Sequence, residues 1–166
     1  MIRKRFFAIA LIITLVMLTL LTSCSGANET PENKEPEQNT ESTEEDNGMR
    51  SITMKINDEE VKVAWEDNES AKALAELVSG SPLTIDMSMY GGFEQVGAIG
   101  TDLPSNDINI TTEPGDIMLY TGSNMVVFYG NNSWSYTRLG HIENKSEDEL
   151  KELLGSNNVK ITLSAE

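Results

Sequence analysis

Met125-Val126-Val127-Phe128-Tyr129-Gly130-Asn131-Asn132-Ser133-Trp134-Ser135-Tyr136-Thr137-Arg138-Leu139 is two runs of apolar, β-branched and aromatic residues parted by Gly-Asn-Asn. Such side chains suit a pleated, half-buried surface, while Gly and Asn tolerate the positive φ of a tight reversal. The stretch predicts two strands separated by a turn. In its second run Trp134, Tyr136 and Arg138 are spaced by two, so all three project from one face.

The same two-fold alternation spreads outward from these two strands. Upstream, Glu113-Pro114-Gly115-Asp116 has Pro and Gly where a type II turn needs them, and leads into Ile117-Met118-Leu119-Tyr120 and the turn Gly122-Ser123-Asn124. Earlier, Ile52–Ile56 and Val61–Trp65 alternate on either side of Asn57-Asp58, which predicts an antiparallel hairpin. Leu83–Met87 alternates again until Tyr90-Gly91-Gly92-Phe93 interrupts it, and Val159–Leu163 closes the chain.

Only two segments have helical spacing. Ala71, Leu74, Ala75, Leu77 and Val78 share a face behind a cap at Asp67 or Asn68, and Gly80-Ser81-Pro82 ends that helix. Ser146-Glu147-Asp148-Glu149 is a capping box for a helix lined by Leu150, Leu153 and Leu154 and ended by Gly155. About eight short strands and two short helices predict a mainly β fold. A sheet of this size removes its exposed edges by closing into a barrel, with the helices at its ends.

All of this lies in residues 49–166, the length of one domain with a proper core. Residues 1–48 are of two other kinds. Arg3, Lys4 and Arg5 precede sixteen uncharged residues, Phe6 to Leu21, and then Leu21-Thr22-Ser23-Cys24. A basic region, an apolar run shorter than a membrane span and a small-residue site form a secretory signal. The last four residues resemble the lipobox of bacterial lipoproteins. The resemblance implies cleavage after residue 23, a diacylglycerol on Cys24, and a protein held by that lipid on the extracytoplasmic face of a membrane. Cys24 is the only cysteine, so the domain has neither a disulfide nor thiol chemistry. Residues 25–48 carry eight acids against Lys34 alone and nothing apolar larger than Ala27, the composition of a disordered tether.

The domain itself has 8 basic and 19 acidic residues. Nucleic acid needs clustered Lys and Arg, so it is not a partner. His141 is the only histidine, no nucleophile elbow accompanies it, and no other nitrogen or sulfur ligand is available to join it at a metal. The stretch from Asp102 to Asp107 lacks the spacing of a calcium loop. No catalytic set, no metal and no cofactor is expected.

Two groups of residues can hold a ligand. Tyr129, Trp134, Tyr136 and Arg138 could stack a planar group and pair with its carboxylate. The bland alternative has Arg138 neutralising one of the many acids while the aromatics fill the barrel. Tyr90, Phe93 and Glu94 flank the Gly91-Gly92 pair, which permits either a close ligand approach or, more simply, a bulge at a barrel corner.

The stretches Leu83–Glu94, Thr112–Tyr120 and Phe128–Glu143 resemble the bacterial cyclophilin-like domain. That resemblance covers most of the domain and implies a closed eight-stranded barrel with two helices. It does not bring an activity with it. True cyclophilins isomerise X-Pro bonds with an arginine in a Phe-His-Arg segment and with a Gln-Gly-Gly-Asp segment, and this chain has neither. The expected role is a non-catalytic binding or accessory module for a small molecule or peptide. A prolyl isomerase with a rebuilt site around Arg138 is the alternative.

Overall fold

The computed structural model describes residues 51–165; the signal segment, Cys24 and the acidic tether lie outside the described residues. β1 (Ile52–Ile56) turns into β2 (Glu59–Val61) through Asn57 (φ 49°) and Asp58 (φ 69°). Asn and Asp are among the few non-glycine residues that accept this left-handed pair. At Lys62 the chain changes partner. Its N–H donates to Asn144 Oδ1 (2.8 Å) and its carbonyl accepts from Glu143 N (2.9 Å). β3 (Val63–Trp65) then pairs with β9 (Ser133–Ile142) instead of β1. The expected arm 61–65 is therefore corrected: it serves two neighbours in succession.

α1 (Glu69–Val78) begins at Asn68, whose Oδ1 accepts from Ala71 N (2.9 Å) while its Nδ2 donates to the carbonyl of Arg138 (2.8 Å). β4 (Leu83–Tyr90), β5 (Glu94–Ala98), β6 (Ile108–Thr111), β7 (Asp116–Tyr120) and β8 (Asn124–Phe128) precede β9. α2 (Glu147–Leu154) carries the expected capping box, with Ser146 Oγ and Glu149 Oε2 each accepting from the other's backbone N–H. β10 (Val159–Ala165) follows.

The strands run β2-β1-β10-β4-β5-β8-β7-β9-β3, every pair antiparallel, with β6 added outside on β9. β2 and β3 stand at opposite ends of this order yet are one run of chain, so that run closes the ring. Counted once, it leaves the eight wall strands of the expected barrel. Trp65 Nε1 spans the seam to the carbonyl of Ile52 (2.8 Å). β1 and β10 are in register from Ile52 opposite Ala165 to Ile56 opposite Ile161.

Alternation divides the wall's side chains between two apolar clusters. Ile85, Ile117, Leu119, Met125, Val127 and Leu139 belong to the larger one, which both helices complete through Leu74, Val78, Leu150 and Leu154. Gln95 is also buried, and its Nε2 bonds the carbonyls of Leu154 (2.6 Å) and Ser156 (2.9 Å), fastening the end of α2 to the wall. Met118, Val126, Phe128 and Tyr136 point to the opposite face of the same strands and form the smaller cluster. A second core on the outer face is what positions the site.

β5 and β6 have no counterpart in the sequence-based reading. β5 opens with Glu94-Gln95 and contains Gly97, where a Cβ would collide with Met87 and Ile85. β6 is only four residues long and mostly exposed, leaving little periodicity to detect.

Candidate functional site

The outer face carries a cavity of about 630 Å³, within the usual range for small-ligand sites. Its floor is the smaller apolar cluster and its rim is aromatic. Tyr90 and Trp134 stand at the rim, 67% and 58% exposed. Of the five large apolar side chains left exposed among the described residues, three (Met89, Tyr90 and Trp134) line this one cavity. Exposed apolar surface gathered in a concavity marks a binding site better than scattered single residues do.

Local chain chemistry puts these side chains together. Gly91 (φ 61°) and Gly92 (φ 75°) form the tight reversal joining β4 to β5, with Phe93 N bonded back to Tyr90 O (3.4 Å). The expectation of a bulge at this pair is corrected to a hairpin turn. The turn sets Tyr90 directly opposite Glu94, and Glu94 is paired on its other side with Phe128. From the far wall, Tyr136 packs edge-on against Tyr120 (centroids 5.8 Å apart) and Phe128 (5.6 Å), and its hydroxyl accepts from Asn132 Nδ2 (3.1 Å).

Glu94 is the only charged side chain lining the cavity. It is 5% exposed, and its Oε2 is buried with no hydrogen-bond partner. Burial raises its carboxyl to about 7. The phenols of Tyr129 and Tyr136 are pushed upward too, first by burial and then by the nearby Glu94 charge.

Five of the sequence-singled residues thus meet here: Tyr90, Phe93, Glu94, Trp134 and Tyr136. Two do not. Tyr129 is buried in the larger cluster, with its hydroxyl unbonded. Arg138 lines a separate cleft beside Glu66 and Asn68, and its Nη1 is hydrogen-bonded to Asp116 Oδ1. The cavity therefore has no guanidinium.

A bulge explains where Arg138 goes. Ile117 pairs with Gly140 and Met118 with Arg138, so Leu139 is an extra residue in β9. It turns inward, and Arg138 and His141 come to lie on one face although three residues apart. Both reach Asp116, with His141 Nδ1 at 2.8 Å from Oδ1. Since the carboxylate only accepts, the imidazole proton on Nδ1 is the donor. Asp116 is buried, and its Oδ2 accepts from Glu113 N (3.0 Å). Asp116 was not singled out in the sequence, because strict alternation separates residues 138 and 141. Among the described residues no group of three or more His, Cys, Asp or Glu side chains could hold a metal ion, and no helix is long and apolar enough to cross a membrane.

Among curated proteins none is significantly similar to the chain. Solved structures share the fold at low identity. A structure of McbB in complex with tryptophan superposes with a TM-score of 0.50 at 16% identity, over 69% of this chain and 44% of that one, so the chain spans less than half of McbB. The solution structure of a hypothetical protein from Archaeoglobus fulgidus gives a TM-score of 0.51 at 15% identity, over 74% of this chain and 99% of that one. The sequence pattern of the cyclophilin-like family matches residues 54–164, nearly the whole barrel. The chain belongs to the cyclophilin-like family.

Proposed function

We propose that this is a lipid-anchored extracytoplasmic protein whose barrel binds a small molecule or a peptide segment in its outer aromatic cavity, without turning it over. The binding half rests on one observation, the concentration of exposed aromatic surface around a 630 Å³ hollow with a buried carboxyl in it. The anchoring half rests on the charged, apolar and Leu-Thr-Ser-Cys segments that end at Cys24. McbB, a distant fold neighbour at 16% identity, was solved in complex with tryptophan.

The isomerase alternative needs a donor beside the proline-sized pocket. Arg138, the donor it relied on, is held by Asp116 outside the aromatic cavity.

Both halves are testable with the full chain expressed in a bacterium. Labelled palmitate should enter the native protein and be lost in Cys24→Ser, which should also leave the membrane fraction. For the barrel, Trp134→Ala should abolish line broadening of an added ligand or X-Pro peptide in NMR. Exchange between cis and trans X-Pro resonances that disappears in Arg138→Ala would instead establish catalysis.

A further inference from the structure

We propose that the cavity selects an organic cation, a protonated amine carried on an apolar or aromatic body, with the Glu94 carboxylate as its counter-ion. This rests on the cavity being a ligand site and adds the chemical class of the ligand.

A carboxylate taken out of water is costly unless a cation or donors replace the water. Glu94 Oε2 has neither. Six of the seven described Lys and Arg side chains are paired with other acids: Lys62 with Glu143, Lys72 with Asp67, Arg138 with Asp116, Lys145 with Glu59, Lys151 with Glu147 and Lys160 with Asp86. The seventh, Lys55, is on β1 opposite Glu60 and does not line the cavity. The protein leaves this acid's partner to come from outside.

The surroundings favour an organic cation over a metal ion. Apart from Glu94, the oxygen-bearing side chains of the cavity are Ser88, Asn132, Tyr90, Tyr120 and Tyr136, all neutral, and a single carboxylate is too little for a hard cation. The aromatic faces instead suit ammonium, which they attract through the ring quadrupole while stacking against the apolar body. The domain's surplus of acids draws the same sign of ligand toward the barrel.

Protonation state follows from the groups that face Glu94. The Tyr90 phenol from β4 is opposite it and Phe128 from β8 is beside it; its charge also reaches the phenols of Tyr129 and Tyr136, both uncharged near neutrality. Glu94 therefore titrates against burial alone, around pH 7. An amine would hold it ionised, so binding near pH 6 should release a proton from the carboxyl.

The test uses the full chain and three probes of one shape: phenethylamine, 2-phenylethanol and phenylacetate, followed by ligand-observed NMR at pH 7.5. The amine should bind at least tenfold more tightly than the alcohol, and the acid most weakly. Glu94→Gln should bring amine and alcohol to within about twofold by weakening the amine. If that variant does not fold, lowering the native chain from pH 7.5 to 5.5 should erase the preference by protonating the same group. Equal binding of amine and alcohol, lost in Trp134→Ala, would overturn the cation preference and leave the cavity as a ligand site. Tighter binding of the alcohol would mean that Glu94 acts as a neutral donor. Binding of none of the three at millimolar concentration would remove both readings.

Discussion

Glu94 makes the protein's stability depend on pH in a definite direction. Its carboxyl titrates near 7 in the folded chain and near 4.5 when exposed. The folded state then holds the proton more tightly, so the associated stability is complete below about pH 4.5 and is lost as pH rises through 7. Denaturant melts of the native chain should lose on the order of 2 kcal/mol between those limits relative to Glu94→Gln, which has no such proton. Asp116 is the opposite case, a buried acid with every neighbour in place. Asp116→Asn would remove the charge that Arg138 and His141 share and would turn one of its two accepting oxygens into a donor. A loss of about 2 kcal/mol is expected in urea unfolding, moderated because both partners keep some access to water. The two acids show what was legible at this scale. Glu94 stood beside a glycine pair that drew attention to it. Asp116 could be connected to Arg138 and His141 only after the extra Leu139 was known, and nothing in a period-two pattern announces a bulge.

At the scale of elements, local signals were reliable where they were self-contained. The Ser146 capping box, the Pro114-Gly115 turn (Gly115 φ 95°) and the Asn68 cap are each formed by neighbours in sequence, and each is present. Ser146→Ala should cost about 1 kcal/mol. Because Gln95 fastens only the far end of α2, amide exchange should speed up first at Glu147–Glu149. Elements defined by distant partners were not legible. β5 reads as polar because its Glu94 is aimed into a cavity and its Gln95 holds α2. β3 reads as the continuation of β2 because the switch of neighbours at Lys62 depends on Glu143 and Asn144, some eighty residues away.

The whole molecule is held against its own charge. Residues 49–166 carry eleven more acids than bases, and several of the ion pairs that offset them are well exposed. Exposed pairs contribute little, whereas repulsion of like charges acts over a Debye length. Raising ionic strength from about 0.01 to about 0.15 M shortens that length from roughly 30 to roughly 8 Å. The thermal midpoint should accordingly rise by a few degrees, and a fall would mean that the surface pairs outweigh the repulsion. The same change should slow association of a cationic ligand more than of its neutral analogue.

The pairing of Ile52 with Ala165 means that the barrel is a ring with one covalent gap, and that the gap lies between neighbours. The order in which the strands occur along the chain is then a convention of where the ring was cut. A circular permutant, in which a few glycines and serines join residue 165 to residue 52 and new ends open between the exposed Gly100 and Thr101, keeps every strand pair and leaves Leu103 of the larger cluster attached to its neighbours. It would also move any attachment at the chain's end from the β1–β10 seam to the far side of β5, turning the aromatic cavity by a new angle without changing a residue that lines it.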